Sequence, residues 1–581
     1  MISADEFSFR YPTKSDPALT DLSFEVDEGE VLGVVGPVEA GKTTLAMALA
    51  SFAPQNTGGT TSGDLSVAGR DPRGASDNAV AMVFEDYAAQ LTQVRVLDEV
   101  VAPLVNRGIP RAKATERARD LLDDVRLADA ADKFTWELSG GQQQRLAIAA
   151  ALAIEPEVLI FDTATDMLDP AGKDEVTNLV AALAGETTLV VTENDPDALV
   201  GLADRLLVLD GGERVAFGPA DDLLRDVDLL ERTGVAPPVC ARIARDVGLG
   251  GAPLTPGEFL DALAARADGD PVEPLATDGE AADGGRVSTA RGFGESLVTV
   301  DGVTYEYGAD EVALSGVDLT VREGEVHAVL GGNGAGKTTF SKLLCGLFEP
   351  THGTVSVDGE STEGRTARDV AETVGIALQN PDEQLSERTV EEELRFPLEQ
   401  RQHERTGILG LSKRQRYDDA FIDDRVEAVR ELVGLSPDVM DEDPVFLPRG
   451  TRRLVTIASA LAPDPDVLVL DEPAAGLDAT AREQVSRTVE RLREDGKGVV
   501  LIDHDMNFVC EVADTVTVLE DGSVAMQGPV REVFGPDNWE WLARRHLRPP
   551  RPARLARRVG VDALTADEFV TAFAPRLEVS G

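Results

Sequence analysis

The sequence predicts an α/β fold in which two tandem domains each bind phosphate at the edge of a parallel sheet. Two glycine-rich loops of the form G-x4-G-K-[ST] favour this prediction, GPVEAGKT at 36–43 and GGNGAGKT at 331–338. Predicted helices follow both loops, and alternation of strand, loop and helix is typical of sheets that bind ligands at the carboxyl ends of their strands. Four short apolar runs are the predicted buried strands: Val31–Val35, Val158–Phe161, Val326–Leu330 and Val467–Leu470.

Each loop contains the residues that hold the phosphates of a nucleotide. Glycines let backbone N–H groups turn toward phosphate oxygens, and the amino end of the next helix adds a positive dipole. The lysine reaches the β- and γ-phosphates, and the hydroxyl after it is a ligand for Mg²⁺. The predicted ATP-binding residues are Gly331, Asn333, Gly334, Gly336, Lys337, Thr338 and Thr339 in the second half, and Gly36, Gly41, Lys42, Thr43 and Thr44 in the first.

A second set of motifs is divided unequally between the halves. The first half contains LSGGQ at 138–142, but its predicted strand Val158–Phe161 is followed by Asp162–Thr163. The second half ends its run in the acidic pair Asp471–Glu472, but LPRGT at 447–451 stands in the place of LSGGQ. Each half therefore has one intact motif where the other half has a changed one.

A P-loop, then LSGGQ, then an apolar run that ends in aspartate resembles the ATP-binding cassette (ABC) ATPases. The resemblance implies two tandem P-loop ABC ATPase cassettes, each with a helical signature subdomain. Members of that family bind ATP between two cassettes, using the P-loop of one and the LSGGQ signature of the other. We therefore expect an intramolecular cassette dimer with one complete site and one degraded site.

The complete site would combine the second P-loop with the first signature, and its residues are assigned by the resemblance. Glu472 would polarise the attacking water, and Tyr307 would stack on adenine. The implied catalytic residues are Lys337, Gln379, Glu472 and His504. The implied Mg²⁺ ligands are Thr338, Gln379 and Asp471. The implied signature contacts to the γ-phosphate come from Ser139, Gly140, Gly141 and Gln142.

The other site would lack most of these parts. We match Glu85 to Gln379, Thr163 to Glu472 and Glu193 to His504, so this site has no general base. Its opposing signature contains Pro448 and Arg449, which remove a hydroxyl donor and add bulk. The ATP-binding residues Tyr11, Lys42 and Thr43 and the Mg²⁺ ligands Thr43 and Asp162 remain. We expect this site to bind ATP without turnover, with complete loss of nucleotide binding as the alternative.

The repeat also defines the expected domains. Residues 1–220 form the first cassette and 297–530 the second. Each cassette is followed by a small C-terminal appendix, predicted to be helical, at 221–268 and 531–581. Residues 269–296 are rich in Gly, Ala and Asp and predict a flexible linker. The second cassette has a longer spacing between P-loop and signature, and we place its extra residues in the basic run at 400–416.

Composition limits the kind of protein that this can be. The formal net charge is -50, from 105 acidic and 55 basic residues, which opposes binding to nucleic acid. The excess of acid extends through both halves, which favours a salt-rich cytosol over an ordinary acidic protein. Three widely spaced cysteines exclude a disulfide framework and a zinc ribbon. The N-terminus lacks a signal sequence and no apolar run is long enough to span a membrane, so we expect a cytoplasmic protein.

Three features are similar to the ATPases of energy-coupling-factor (ECF) importers for vitamins and metal ions. They are LQNPDEQL at 378–385, DTATDMLDP at 162–170, and the short appendix that begins with Pro-Pro. The resemblance implies two partners, a transmembrane coupling subunit and a substrate-binding membrane subunit, with this chain peripheral on the inner face of the cell membrane. Residues 85–91 and 379–385 are the expected docking surface.

Two other functions remain open from the sequence. One is a tandem sugar-type ABC importer ATPase, which would differ in its membrane partners. The other is an ABC factor that acts without a transporter, on ribosomes or in DNA repair. The basic stretch Arg544 to Arg558 favours the second alternative, unless it pairs with the acidic surface of the chain itself.

The charge predicts that salt stabilises the fold. Repulsion among acidic side chains weakens as the Debye length falls from about 10 Å at 0.1 M to about 3 Å at 1 M salt. We expect the melting temperature to rise as KCl increases over that range. Calorimetry at several KCl concentrations measures this, and a melting temperature that does not change would contradict the salt-rich interpretation.

Overall fold

The computed structural model divides the chain into two compact units. One unit is Met1–Pro274 with Phe573–Gly581, and the other is Leu275–Ala572. The structure describes residues 1–74, 79–163, 170–266, 292–308, 311–332, 334–401, 403–406, 412–415, 417–545 and 547–578. Residues 269–291 of the expected linker lie outside this description, as do Asn333 and part of the basic run at 400–416.

The first unit contains the first cassette and its appendix. Its strands are β1 (Ile2–Arg10), β2 (Leu19–Val26), β3 (Val31–Val35), β4 (Thr60–Val67), β5 (Val80–Val83), β6 (Val158–Asp162), β7 (Thr188–Thr192), β8 (Arg205–Asp210) and β9 (Glu213–Pro219). Its helices are α1 (Lys42–Leu49), α2 (Tyr87–Gln90), α3 (Val96–Asn106), α4 (Arg111–Asp124), α5 (Gly140–Leu152), α6 (Pro170–Leu183), α7 (Ala220–Leu224), α8 (Val227–Arg232), α9 (Val239–Asp246) and α10 (Pro256–Arg266).

The second unit contains the second cassette and its appendix as far as Ala572. Its strands are β10 (Ser296–Gly308), β11 (Glu311–Arg322), β12 (Val326–Gly331), β13 (His352–Val357), β14 (Glu360–Ser361), β15 (Val374–Ala377), β16 (His403–Thr406), β17 (Ser412–Gln415), β18 (Val467–Asp471), β19 (Gly498–Ile502), β20 (Thr515–Glu520) and β21 (Ser523–Pro529). Its helices are α11 (Lys337–Leu344), α12 (Ala367–Val370), α13 (Val390–Glu399), α14 (Asp419–Val433), α15 (Arg449–Leu461), α16 (Ala479–Glu494), α17 (Met506–Val512), α18 (Val530–Val533), α19 (Trp539–Ala543), α20 (Arg551–Arg558) and α21 (Ala566–Glu578).

A six-stranded sheet forms the centre of each unit. Its order is β5-β6-β7-β3-β8-β9 in the first unit and β15-β18-β19-β12-β20-β21 in the second. All neighbours are parallel except the last pair in each sheet. The four strands that the sequence predicts are present and buried at nearly every residue, as expected for strands covered on both faces. The prediction of a parallel α/β fold is therefore confirmed.

Crossovers bring the functional loops to one edge of each sheet. Because β6, β7 and β3 are adjacent and parallel, their carboxyl ends meet. The P-loop leaves β3, and the acidic position follows β6. The same relation holds for β12, β18 and β19 in the second unit. A smaller antiparallel sheet also belongs to each unit, β2-β1-β4 in the first and β11-β10-β13-β14 in the second.

In each unit, a helical subdomain lies in the chain between two neighbouring strands of the central sheet, β5 and β6 in the first unit and β15 and β18 in the second. In the first unit, α3, α4 and α5 share a core that includes Val100, Leu122 and Leu146. Helices α13, α14 and α15 repeat this arrangement in the second unit. The hairpin of β16 and β17 lies between α13 and α14, where the first unit has only a short loop between α3 and α4. The extra residues of the second cassette therefore belong to the helical subdomain.

Helices follow the last strand of each cassette. Phe259 on α10 and Phe569 on α21 are both 0% exposed, so each buries its helix in a packed interior. Each is next to a glutamate that pairs with an earlier arginine, Glu258 with Arg225 and Glu568 with Arg531. The predicted domain boundaries stay predictions, but the appendices are helical.

Two further sequence features are the three cysteines and the basic stretch Arg544 to Arg558. The cysteines Cys240, Cys345 and Cys510 are free and buried. In the basic stretch, Arg544 pairs with Glu540 and Arg545 with Glu520, at 2.5 and 2.9 Å.

Within the part of the chain that the structure describes, no helix is long and apolar enough to cross a membrane.

Candidate functional site

The second P-loop curves around the ammonium group of Lys337. Its Nζ donates to the carbonyl oxygens of Gly331 and Gly332, at 2.8 and 3.0 Å. Gly336 has φ +99°, and a Cβ there would lie 2.6 Å from the carbonyl oxygen of Ala313. Only glycine fits this close approach. The loop is therefore a cradle that ends at the amino terminus of α11, as phosphate binding requires.

The first P-loop has the same form. Lys42 Nζ donates to the carbonyl oxygens of Gly36 and Pro37, at 2.6 and 2.9 Å. A Cβ at Gly36 would lie 2.3 Å from the carbonyl oxygen of Leu209, and Gly41 has φ +96°. Both cassettes therefore retain a phosphate cradle, although their other motifs differ.

A tyrosine hydroxyl contacts the second threonine after each P-loop lysine. Tyr307 Oη lies 3.0 Å from Thr339 Oγ1, and Tyr11 Oη lies 3.2 Å from Thr44 Oγ1. Tyr307 is 51% exposed, so its ring is accessible to a ligand. This placement fits the predicted contact with adenine.

Three predicted catalytic side chains meet in the second unit. Gln379 Nε2 donates to Glu472 Oε2 at 2.7 Å. His504 Nδ1 lies 3.3 Å from Glu472 Oε1. These residues follow β15, β18 and β19, which are adjacent in the sheet. The carboxylate of Glu472 is therefore held between an amide and an imidazole.

The backbone also fixes the position of Glu472. Its φ is +48°, in the left-handed region that side-chain residues rarely occupy, and its N–H donates to the carbonyl of Ile502 at 2.7 Å. On the next strand, Asp503 Oδ1 accepts the backbone N–H groups of His504 and Asp505, at 2.7 and 2.8 Å. Asp503 thereby fixes the turn that carries His504.

Nearby charges decide the protonation of this cluster. Burial alone would raise the pKa of Glu472, but the hydrogen bond and charge of His504, together with Lys337 and Arg453, hold it below its usual value. The pKa of Asp471 is raised to about 6, first by burial and then by the charge of Glu472. Glu472 is therefore ionised at neutral pH and can accept a proton.

The predicted ligands for a metal ion are a hydroxyl and a carboxylate in each unit. In the first unit, Thr43 Oγ1 donates to Asp162 Oδ1 at 3.2 Å, so the two predicted ligands are already in contact. Thr338 and Asp471 hold the corresponding places in the second unit. Among the described residues, no group of three His, Cys, Asp or Glu side chains could hold a metal. This oxygen donor set fits Mg²⁺, which keeps several waters and binds through one or two carboxylates and substrate phosphates.

At the position of Glu472, the first unit has the same backbone conformation but a different side chain, Thr163. Thr163 has φ +48°, the same as Glu472. Its N–H donates to Thr192 Oγ1 at 2.9 Å, and its own hydroxyl lies 3.2 Å from that oxygen. Thr192 in turn donates to Asp162 at 2.8 Å. A network of hydroxyl groups therefore occupies the place where the second unit has a carboxylate.

Strand pairing shows how the residues after β7 and β19 correspond. Asp162 pairs with Thr192 in the first unit, and Asp471 pairs with Ile502 in the second. Since parallel register runs residue by residue, Thr192 and Ile502 are equivalent.

The expected match of Glu193 with His504 is therefore wrong by one residue. Glu193 corresponds to Asp503, and both acids are 1% exposed. Asn194 corresponds to His504. The first cassette thus has an amide where the second has an imidazole, and the carboxyl group of Glu193 beside it in the chain is buried.

The two signature segments begin their helices differently. Ser139 caps α5: its Oγ accepts from the N–H of Gln142, and the Gln142 side chain accepts from the N–H of Ser139. Gly140 and Gly141 form the first turn of that helix. Pro448 stands at the equivalent place before α15 and makes no side-chain cap. The altered signature has lost the exposed hydroxyl, as the sequence predicts.

One residue of this cluster is missed by sequence reasoning. Arg453 on α15 is 1% exposed and donates to the backbone carbonyls of Leu378 and Gln379. Its place matches Gln144 of the first signature helix. The available signal was an arginine at a position where the repeat has a neutral residue.

Comparisons with known proteins agree with this architecture. A family model described as ABC transporter matches residues 19–166 and 314–475, together more than half of the chain. A protein of Caldanaerobacter subterraneus subsp. tengcongensis named as an ABC transporter ATP-binding protein is 33% identical over 98% of both chains. The archaeal ribosome recycling factor aABCE1, solved with the stalk protein aP1, is 23% identical over 93% of this chain and 92% of that chain, with a TM-score of 0.57, and shows the same fold. The cbiO1 structure from Clostridium perfringens, described as part of the ABC transporter complex cbiONQ, is 27% identical over 43% of this chain and 95% of that chain, with a TM-score of 0.37.

Proposed function

Because the chain belongs to the ABC transporter family as an ATP-binding ATPase, we propose that it energises a membrane importer of the ECF type, for a vitamin or a metal ion. One catalytic site carries the activity, built from the P-loop of the second cassette and the signature of the first. The other site binds ATP without turnover. The observation that carries this proposal is the Glu472 carboxylate held between Gln379 and His504.

The residues of the second cassette divide the work of hydrolysis. The P-loop N–H groups and Lys337 bind the phosphates and stabilise the charge that develops on them. Glu472 is ionised and accepts the proton of the attacking water. Gln379 and His504 orient that carboxylate through the bonds described above. Bound Mg²⁺ would be held by Thr338 and Asp471, with Gln379 as a further ligand, and would neutralise phosphate charge.

The first cassette contributes binding and a signature. Lys42 and Thr43 keep the geometry of a nucleotide cradle, but Thr163 supplies no base and Asn194 no imidazole. Its signature helix has the cap at Ser139 that the second lacks. The intact signature and the intact catalytic residues lie in different cassettes. This favours a site in which Ser139 contributes to ATP binding at the P-loop of Lys337.

The catalytic assignment predicts opposite results at two equivalent positions. Glu472→Gln removes the base but keeps the shape, so ATP turnover should fall by about 10²- to 10⁴-fold with ATP binding retained. Thr163→Ala is the matched control and should stay within about threefold of the unchanged rate. Steady-state phosphate release and nucleotide binding measure both. Equal damage from the two changes would contradict a single catalytic site.

The proposed site combines the P-loop of the second cassette with the signature of the first. It therefore predicts that a residue of the first cassette controls ATP turnover in the second. Ser139→Arg places bulk and charge where the signature hydroxyl is, so turnover should fall by at least about 10²-fold. The mirror change, Pro448→Ser with Arg449→Gly, should not create a second active site, because Thr163 and Asn194 are unchanged. Activity that survives Ser139→Arg would show that the halves do not share ATP.

The importer assignment is supported by the sequence of the loop after β15 and by a surface groove in the first unit. Loop residues 379–385 read QNPDEQL. In the first unit, an open cavity of about 320 Å³ is lined by both the cassette body and the helical subdomain, including Phe52, Met82, Gln90, Leu91 and Pro103. We assign this groove, with residues 85–91, to a helical end of a transmembrane coupling subunit. Such docking would place the chain on the inner face of the cell membrane.

The docking assignment predicts the loss of membrane partners from one substitution. Leu91→Glu introduces a charge into the groove, so the coupling subunit and the substrate-binding subunit should no longer co-purify with the chain. Val215→Glu, an exposed apolar position on β9 outside the groove, is the control and should retain them. Mass spectrometry of the purified complexes identifies the partners. Recovery of a sugar-type permease, or of ribosomes in place of membrane proteins, would replace the ECF assignment.

A further inference from the structure

A buried arginine connects the signature helix of the second cassette to its own catalytic loops. Arg453, on α15, is 1% exposed. Its guanidinium donates to the carbonyl oxygens of Leu378 and Gln379, and Nη2 also lies 3.3 Å from the carbonyl oxygen of Glu472. The three carbonyls come from two segments that are far apart in the sequence.

These two segments carry the side chains that meet in the proposed catalytic site. Gln379 donates its amide to the Glu472 carboxylate at 2.7 Å, and Arg453 holds the backbone of both residues. The guanidinium is planar and presents several N–H groups in fixed directions, so one side chain can fasten several carbonyls at once. A shift of Arg453 would therefore move the amide and the carboxylate relative to each other.

The burial of this charge needs compensation. Burial and the charge of Arg449 lower the pKa of Arg453 to about 10, while the carboxylates of Asp471, Asp503 and Glu472 oppose that shift. The guanidinium is thus protonated at neutral pH. A buried charge without partners is strongly unfavourable, and the backbone carbonyls and the nearby carboxylates supply that compensation.

The repeat offers an internal comparison. The first signature helix has Gln144 at the same place, also fully buried. In the first cassette, Glu85 stands in the place of Gln379 and Thr163 in the place of Glu472. The amide and the carboxylate of the proposed catalytic pair are therefore both replaced. The arginine therefore occurs in the cassette that retains the hydrolytic residues, on a helix whose own signature is altered.

We propose that Arg453 is a positioning residue for ATP hydrolysis, which fixes the loop of Gln379 against the backbone of Glu472. The inference rests on the proposed function, in which Glu472 and Gln379 carry turnover at the second P-loop. Helix α15, which carries the altered signature, would then position the catalytic loops of its own cassette. An intact signature, in contrast, would contribute to the ATP site of the other cassette.

The substitution Arg453→Gln, which installs the residue of the first cassette, tests this role. We expect kcat for ATP to fall by about 10- to 100-fold, since small displacements of catalytic groups have effects of this size. KM for ATP should change by less than about threefold, because the P-loop and Tyr307 are untouched. Arg453→Lys should give an intermediate kcat, because an ammonium group keeps the charge but cannot reproduce the planar fork.

A second arginine controls for structural damage. Arg425 on α14 donates to the carbonyls of Leu461 and Ala462 at the other end of α15, at 2.8 and 3.0 Å. Arg425→Gln removes similar bonds away from Glu472 and should lower the melting temperature without lowering kcat. If both variants lower kcat in proportion to the fraction of folded protein, Arg453 is only structural and the proposal is wrong.

A double-mutant cycle separates this proposal from the function on which it rests. If Arg453 acts by placing Gln379, the losses in kcat from Arg453→Gln and Gln379→Ala should not multiply when combined. Fully multiplicative losses would overturn the positioning role. If Glu472→Gln stops turnover while both Arg453 variants keep an unchanged kcat, only this inference fails. If Glu472→Gln leaves turnover intact, the proposed function itself fails.

Discussion

The register of the parallel central sheet is the constraint on which both candidate sites depend. In each unit, the P-loop strand lies beside the strand that precedes Asn194 or His504, and that strand lies beside the one ending in aspartate. Because the pairing runs residue by residue, the side chains that leave these strands meet at one edge. The contact of Gln379, Glu472 and His504 follows from three neighbouring strands ending together. A shift of one residue in any strand would separate them.

The two cassettes show that this framework is independent of the chemistry placed on it. Thr163 and Glu472 share the same left-handed backbone, with φ +48°, although only one of them can accept a proton. The phosphate cradles also persist in both units, because their glycines are required by close backbone contacts, such as that of Gly36 with the carbonyl of Leu209. The same backbone geometry therefore persists in both cassettes although the side chains at the proposed catalytic position differ. The asymmetry lies in side chains and not in architecture.

Buried charge is concentrated where the second cassette carries its intact residues. Asp471, Glu472 and Asp503 lie near one another, and Arg453 and Lys337 supply the positive charge that keeps the cluster stable. The first cassette meets the same need with hydroxyl groups: Thr43 and Thr192 both donate to Asp162. Such neutral donors satisfy Asp162, whereas the three acids of the second cassette are accompanied by cations. In the second cassette, the residues proposed for hydrolysis therefore also take part in the balance of buried charge.

Short local patterns encode the repeat, the predicted strands, both P-loops and the positions of Glu472, Thr163 and Gln379, so all of these could be predicted from the amino-acid sequence. The helical subdomain and the appendix also followed from the repeat. Two other features depend on contacts between residues that are distant in the chain. The correspondence of His504 with Asn194, and not with Glu193, depends on strand register, which spacing around a variable loop does not specify. The role of Arg453 depends on carbonyl groups that are distant in sequence and that only folding brings to its guanidinium. Local motifs reveal which residue types are present, whereas the long-range packing of helix against sheet determines which of them touch.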